Sequence, residues 1–566
     1  MSFSRALLGQ DVWSQSREKD DPISPDRIAL HYQRAQSICR ESGLSINDVR
    51  YLTKKFWDFH FDLIAARDPT AFIIATIHIN LCIGTLSNYV EARPDLSNII
   101  EGLLNFDICG EFMLTEVGHG LDARNLETTA TLQPDGSFDL HTPHAAAAKA
   151  MPPTTPNGGI PRVAIVFARL KVAGEDHGVK PFLVWLCDER QMMRGVTSRA
   201  LPNRSGTNMK PLDHAITTFN HVRLFPNALL GSIAKPKDER IDFMKQIQRV
   251  SVGTLSLSIA NIPAIKLGTR ITALYSQRRR VGAPNGRGHI PIISFSTQQR
   301  PILDGWVQGT VLDAYARWTV KEFMSPGHSP TVRHALGTLF KATITRASGI
   351  LHELSERCGW QGLFPYNQVN ELALSAQGGF IAEGDTLVLC IRLASELLGG
   401  KYSLPEPRDP SSKLAQRERA MMESTKSKIA ELGGYEEHRG QDFNRHILPR
   451  CRPLIEAIGH RMAYEAAKDS GVDPKVVHLF EMLCLTTNLG WDVAEERTIT
   501  PGFHDALVRA YDDVLPDMLK AMQDESDDNE YITAPIVSDE SWSEFVQGLP
   551  SFEYPSDGEE GFQPAF

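Results

Sequence analysis

The sequence predicts an α+β chain of several domains: a helical N-terminal domain, a middle β-domain, a helical bundle and an additional C-terminal helical region. Three observations carry this. At 566 residues the chain exceeds what one hydrophobic core usually spans. Apolar residues recur at three- and four-residue steps up to about residue 111 and again after 237. Between those stretches the texture changes to short apolar runs bounded by turn residues. The boundaries drawn are 1–111, 112–236, 237–400 and 401–523, with an acidic tail over 524–566.

Residues 49–66 and 71–90 carry the helical spacing with few breakers, and no catalytic motif is visible there. In the middle region, residues 127–132 (ETTATL) and 137–141 (SFDLH) flank Pro134, Asp135 and Gly136, a pair of strands around a turn that tolerates positive φ. Residues 163–170, 181–186 and 217–224 read as further strands, the last closed by Pro226, and residues 149–162 as a loop rich in Pro, Thr and Gly. Residues 240–280 read as a long helix with Pro263 as a kink or break. Residues 301–322, 331–357, 383–398 and 413 to about 523 continue the helical pattern, with a Pro-rich seam over 402–411. No internal repeat is visible.

The net charge of -10 argues against nucleic acid as the main partner, because phosphate neutralisation needs a clustered basic surface. From Asp524 onward there are about a dozen acidic residues and no Lys or Arg, which reads as a solvated tail that buries little. Eight widely spaced cysteines form no C-x-x-C pair, so neither a zinc site nor a disulfide framework is expected, and reduced thiols suit an intracellular chain. No metal site is expected. No apolar run reaches bilayer length; residues 72–86 come nearest, interrupted by Thr76, His78, Asn80 and Gly84. The N-terminus has no apolar signal core, and the ending Gln563, Pro564, Ala565, Phe566 is not a peroxisomal S-K-L.

Three short stretches could carry chemistry. Residues 114–120 (LTEVGHG) stand where helix gives way to strand, and their glycines admit close backbone approach to a ligand; taken alone, an ordinary tight turn explains them better. Residues 357–362 (RCGWQG) place a glycine pair after a helix. Glu383, at the expected start of the next helix, reads locally as a carboxylate satisfying helix N–H groups. His119 and residues 286–288 (GRG) read as a turn histidine and a loop, since no G-x-S-x-G, P-loop or H-E-x-x-H accompanies them.

Taken in order, these stretches resemble the acyl-CoA oxidases, a branch of the acyl-CoA dehydrogenase superfamily. Residues 114–131 (LTEVGHGLDARNLETTAT) are similar to the family's T-E-x-G-H-G…L-E-T-T-A-T. Lys149 stands at its K-W-W-P-G loop, residues 163–170 (VAIVFARL) at its next strand, and residues 219–231 (FNHVRLFPNALLG) at the close of its β-domain. Residues 275–280 (YSQRRR) and 295–299 (FSTQQ) resemble Y-S-x-x-R-R…F-x-T-Q-Q, residues 358–362 parallel C-G-G-x-G, and Ala382 to Asp385 stand at Y-E-G-E. The resemblance covers about residues 50 to 400.

It implies an acyl-CoA dehydrogenase-like fold with FAD as cofactor between the β-domain and the helical bundle, at the boundary of a homodimer or dimer of dimers. The extra helical domain of the oxidases falls on residues 413–523. By resemblance, Thr115 and the turn at Gly118 contact the flavin ring, and Arg279 and Gln299 reach the cofactor's pyrophosphate and adenine side from the partner subunit. Gly359 and Gly362 pack on the same cofactor. The choice among Arg278, Arg279 and Arg280 rests on alignment alone, the other two being read as solvated. Glu383 matches the base that removes the α-proton of an acyl-CoA thioester while the β-hydrogen leaves as hydride to the flavin. O₂ is the implied acceptor, and the family is often peroxisomal, with a cytoplasmic setting as the alternative. Two rivals stay open: a dehydrogenase-type desaturase of a specialised substrate using another acceptor, and a scaffold that kept only the fold.

The match departs from the family at four places, one of them Pro263, which interrupts a helix where the family usually runs without a break. Ala150 and Met151 replace two tryptophans. The loop glycine that binds FAD has Pro153 at its ungapped position and Gly158 or Gly159 at gapped ones. Ala382 replaces an aromatic residue before the base. The smaller side chains imply a wider pocket and a bulky acyl group.

Overall fold

Helices from two regions of the sequence enclose a β-domain, in the α, β, α order that the spacing predicts. The computed structural model describes residues 2–14, 25–202, 210, 212–284, 286–487, 502–524 and 526–552. The C-terminal tetrapeptide and the rest of residues 553–566 lie outside the described residues.

In the N-terminal region, Ser45 and Asp48 form a reciprocal capping box at the start of Ile46–Tyr51. Asp68 caps Pro69–Thr76 by accepting from Ala71 N–H, and its other oxygen takes Arg34 and the ring of His31. That helix runs into a π-helix, Ile77–Ile83, and on to Leu86. Residues 69–86 and 248–278 are both apolar and long enough to cross a membrane, which corrects the expectation that no run is. Both are buried among other helices and strands, as core helices are.

Among the described residues the β-domain holds nine strands. They are β1 (Cys109–Met113), β2 (Thr129–Leu132), β3 (Phe138–His141), β4 (Lys149–Pro153), β5 (Arg162–Val172), β6 (Glu175–Cys187), β7 (Val196–Ala200), β8 (His214–Phe219) and β9 (Val222–Leu224). β5 is central: residues 162–166 pair in parallel with β1, residues 169–171 with β2, and its other edge is antiparallel to β6. β2, β3 and β9 extend the sheet, while β4, β8 and β7 form a second, three-stranded one.

Two expectations fail here. Residues 149–153, read as loop for their prolines, are an edge strand with a bulge between Ala150 and Pro153, a place where a missing N–H is tolerated. Residues 217–224, read as one strand, are split between the two sheets by a turn at His221, φ +51°.

The bundle comprises Gln248–Ile259, Asn261–Arg278, Ser296–Met324, Pro330–Ala347, Val369–Ile381 and Thr386–Leu398. The expected break in the 240–280 stretch falls at Ala260, and Pro263 sits in the first turn of the next helix, where the N–H it lacks has no intrahelical partner. Helices Lys413–Glu431, Leu448–Asp469, Pro474–Thr486 and Phe503–Gln523 follow. All eight cysteines are free and buried.

The acidic segment after Asp524 differs most from its composition. Residues 527–547 form two short 3-10 turns and a helix, and Tyr531, Ala534 and Ile536 are buried. The Tyr531 hydroxyl meets Ser2 and Ser4 at 2.7 and 2.9 Å, and both serines donate to Asp62. Gln368 accepts from Thr533 N–H and donates to Tyr531 O. A few buried apolar side chains and paired backbone groups hold the segment down, while its carboxylates face outward or meet Arg5 and Arg278. The solvated-tail reading fails for residues 527–547.

Candidate functional site

A cavity of about 690 Å³ opens where the β-domain, residues 65–81, the helices of residues 248–278 and the 372–389 segment meet. Its wall is mainly apolar, with Phe72, Ile77, Phe112, Leu257 and Leu372 among the lining. Glu383 stands on it, and so does Thr115. These two predicted residues, 268 positions apart in sequence, share one pocket.

Glu383 does not open a helix. Asp385 is the N-cap of Thr386–Leu398, accepting from Leu387 and Val388 N–H, so the local capping role belongs to Asp385. Glu383 precedes it with φ +53°, a left-handed conformation that costs a non-glycine residue about 1–2 kcal/mol. Gly384 follows at φ +99°. The carboxylate lies against Gly253 of helix Gln248–Ile259, where a Cβ would sit 1.0 Å from Oε2. Asn80 of the π-helix reaches Oε2 at a long 3.5 Å, and Thr254 Oγ1 donates to Glu383 O at 2.9 Å. Burial pushes the carboxyl up to about 8, against the downward pull of Lys341 and Arg249.

Thr115 is fixed by a buried ion pair. Glu116 and Lys149 have fully buried side chains 3.0 Å apart, and Glu116 also accepts from Glu127 and Thr128 N–H. Lys149 donates on to Leu114 O, and Ala150 N–H to Thr115 O at 3.0 Å. The ordered T-E, E-T-T and Lys motifs are thus one hydrogen-bonded unit. His119 closes it with Nδ1 3.1 Å from Glu116, which suits the turn reading. Gly118 donates to Ala146 O and lies off the cavity wall, where the turn contributes Gly120 instead.

β4 adds Ala150, Met151, Pro152 and Pro153 to the cavity wall beside Thr115; Met151 takes φ +88°. Of the three positions weighed for the loop glycine, only Pro153 lines the cavity. Gly158 packs on Tyr32 and Arg162 instead. Ala150 and Ala382, the small replacements, both line the cavity.

The remaining predicted residues form a second group away from this pocket. Gln298 Nε2 bonds Ser276 Oγ at 2.8 Å and Arg357 O at 2.9 Å, drawing together the three stretches that hold Arg279, Gln299 and Gly359. Arg279 is exposed and Gln299 half-buried. Gly359 takes φ +61° with open space around it, next to an exposed Trp360. Gly362 is buried, and a Cβ there would meet Ser355 O at 1.9 Å, so its smallness serves helix packing in this chain. Arg278 is not solvated: it pairs with Asp539 at 2.6 Å, donates to Ile536 O and lies over Trp542. That leaves Arg279 and the exposed Arg280 available to an anion. An apolar slot beside Thr115 and an outlying, uncommitted arginine suit the two ends of FAD, a flat ring and a pyrophosphate.

Several contributors escaped the sequence reading. Arg249 is buried, donates to Asn80 O and Val49 O, and is pulled down to about 9 by burial. Glu111 on β1 is a second buried carboxyl on the cavity wall, pushed up to about 8, and its Oε2 has no hydrogen-bond partner among the described residues. Lys341 in helix Pro330–Ala347 is 1% exposed, a charge at a core position that could have been flagged in the sequence.

Peroxisomal acyl-coenzyme A oxidase 1 of Arabidopsis thaliana is 26% identical to the chain over 344 residues, covering 55% of the chain and 50% of that relative. The chain spans about half the length of the curated relatives it matches. Acyl-CoA oxidase 1 of Yarrowia lipolytica superposes with a TM-score of 0.72 at 20% identity, over 100% of this chain and 93% of that one. Acyl-CoA oxidase-2 of Caenorhabditis elegans, solved with FAD, ascaroside-CoA and ATP, superposes with a TM-score of 0.74 at 17% identity, over 98% and 92%. No protein-family model matches the chain.

Proposed function

We propose, for a chain that has the fold of the acyl-CoA oxidases and sequence relatives among them, that it is an FAD-dependent acyl-CoA oxidase with Glu383 as its base. The observation that carries this is the shared cavity: a desolvated carboxyl and the Thr115 turn stand on the walls of one largely apolar pocket. Neither residue's motif would place them together by local structure alone.

When bound, FAD would supply the acceptor for the β-hydride, with O₂ as the final oxidant, reduced to peroxide. The chain's own residues do the rest. Apolar walls exclude water, which raises the basicity of Glu383 and strengthens every hydrogen bond made to a developing enolate-like oxygen. The Glu383 carboxylate takes the α-proton, which needs it ionised and within hydrogen-bond reach. Thr115 and the turn that brings Gly120 to the cavity wall would orient the ring, and Arg279 and Gln299 would hold the pyrophosphate and adenine side of a cofactor bound to a second subunit. Ala150 and Ala382 widen the pocket for a bulky acyl group, a reading in keeping with the ascaroside-CoA held by one structural neighbour. We take a peroxisomal setting, named for several relatives, as the first choice among intracellular ones.

The test is a visible spectrum of purified protein before and after anaerobic addition of an acyl-CoA panel. Flavin absorbance that bleaches with one member, and returns with O₂, supports the proposal. A protein that cannot be loaded with FAD, or a Glu383→Gln variant that bleaches at the wild-type rate, overturns it.

A further inference from the structure

Three consecutive carbonyls around the proposed base accept hydrogen bonds from side chains of two other helices. Lys341 Nζ donates to Ala382 O and to Gly384 O, each at 2.6 Å, and Thr254 Oγ1 donates to Glu383 O at 2.9 Å. Lys341 is almost fully buried in helix Pro330–Ala347, between the core residues Phe340 and Ala342. A buried ammonium is costly unless partnered, and an apolar side chain of the same length would fill the space without that cost. The two carbonyls that it takes are those on either side of Glu383, the residue held at φ +53°. All peptide bonds of the described chain are trans, so each C=O points opposite to the following N–H. Drawing Ala382 O to Lys341 therefore turns the Glu383 N–H away from helix Pro330–Ala347.

We propose that Lys341 is a positioning residue: its grip on the carbonyls flanking Glu383 holds the base in its left-handed conformation and aims its carboxylate and N–H at the cavity. The inference rests on the reading of Glu383 as the base. The charged groups facing Glu383 are Lys341 itself and Arg249 from helix Gln248–Ile259; Asp385 from the same loop and Cys390 face Lys341. Lys341 holds the Glu383 carboxyl down while burial raises it.

The test is Lys341→Met, which keeps the length and removes the donors, made in the full FAD-loaded enzyme. Three results are expected. The kcat falls at least tenfold with KM nearly unchanged, the alkaline rise of the rate moves to higher pH, and amide exchange of residues 380–386 speeds up. A structure of the variant is expected to show Glu383 out of the left-handed region. A folded Lys341→Met protein with wild-type kcat, pH limb and loop conformation overturns the proposal. Should that variant not fold, Thr254→Val removes the third tether, and faster exchange of the same segment is expected; unchanged exchange counts against the grip. Glu383→Gln run in parallel separates the two claims. If it keeps full turnover, the base assignment fails. If it is inactive while Lys341→Met is normal, only the grip fails.

Discussion

The space beside Gly253 gives a sharp test of the site. A Cβ at this position would lie 1.0 Å from Glu383 Oε2, 2.1 Å from its Cδ and 2.8 Å from Asn80 Nδ2. Carbon and oxygen do not approach closer than about 3.3 Å without strain, so Gly253→Ala must push the carboxylate away by about 2 Å. The obstacle is the end of a flexible side chain, so the helix can stay as it is while the base moves. Ala is preferred over Gly inside a helix by about 1 kcal/mol, which leaves no reason for the fold to weaken. A displacement of about 1 Å at a reacting centre can cost on the order of a hundredfold in rate, so kcat is expected to fall at least that far. Steady-state turnover with an acyl-CoA that bleaches the flavin, read beside thermal unfolding and flavin content, measures both halves. A stable, flavin-loaded Gly253→Ala enzyme with wild-type kcat would refute the placement of the base.

Three further outcomes follow from the same geometry. Glu383 is pushed up to about 8 and so is mostly protonated below that pH, while the proposed base must act as the anion; kcat/KM is expected to rise roughly tenfold between pH 7 and pH 9, and a flat profile counts against it. Lys149→Met leaves buried Glu116 without its lysine, with only His119 beside it, which is expected to cost about 3 kcal/mol in thermal or urea unfolding; a loss below about 1 kcal/mol would show that the pair does not hold the Thr115 turn. Tyr531→Ala empties a buried site in the acidic segment and is expected to cost about 3 kcal/mol, whereas a solvated tail predicts no change in melting temperature.

How much of this was legible in the chain depended on the kind of signal. The oxidase fold and the pairing of Thr115 with Glu383 came from motifs in a fixed order, and the shared cavity agrees with that order. Local rules alone misassigned Glu383, because an acidic residue just before a helix looks like a cap until Asp385 is seen taking the N–H groups. Gly253 and Asn80 were invisible for another reason, each sitting in an ordinary helical pattern, and even Lys341, a charge at a core position, shows its meaning only through a neighbour; these neighbours lie 42 to 303 positions away. The π-helix over Ile77–Ile83 differs from an α-helix by about one residue per turn, less than a hydrophobic pattern resolves. The acidic segment was misread because composition averages over it, while its attachment depends on Tyr531, Ala534 and Ile536.

The surroundings of Glu383 set two demands that pull against each other. A base for an α-proton needs a carboxylate poorly solvated enough to want the proton, yet a bare buried anion would not ionise at all. A direct ion pair would solve the second problem and spoil the first, since a close cation lowers basicity and occupies the oxygens. No ion pair joins Glu383 to Lys341 or Arg249 among the described residues, although both act on it through space. Lys341 gives its hydrogen bonds to the carbonyls of Ala382 and Gly384, and Arg249 gives its own to those of Asn80 and Val49. Backbone oxygens thus hold the two cations near the carboxylate but off it. The site gains enough positive potential to permit ionisation, and the carboxylate oxygens stay open to the cavity apart from one long contact with Asn80. This arrangement also explains why two expensive buried cations sit within reach of one acid without forming the salt bridge that their charges favour.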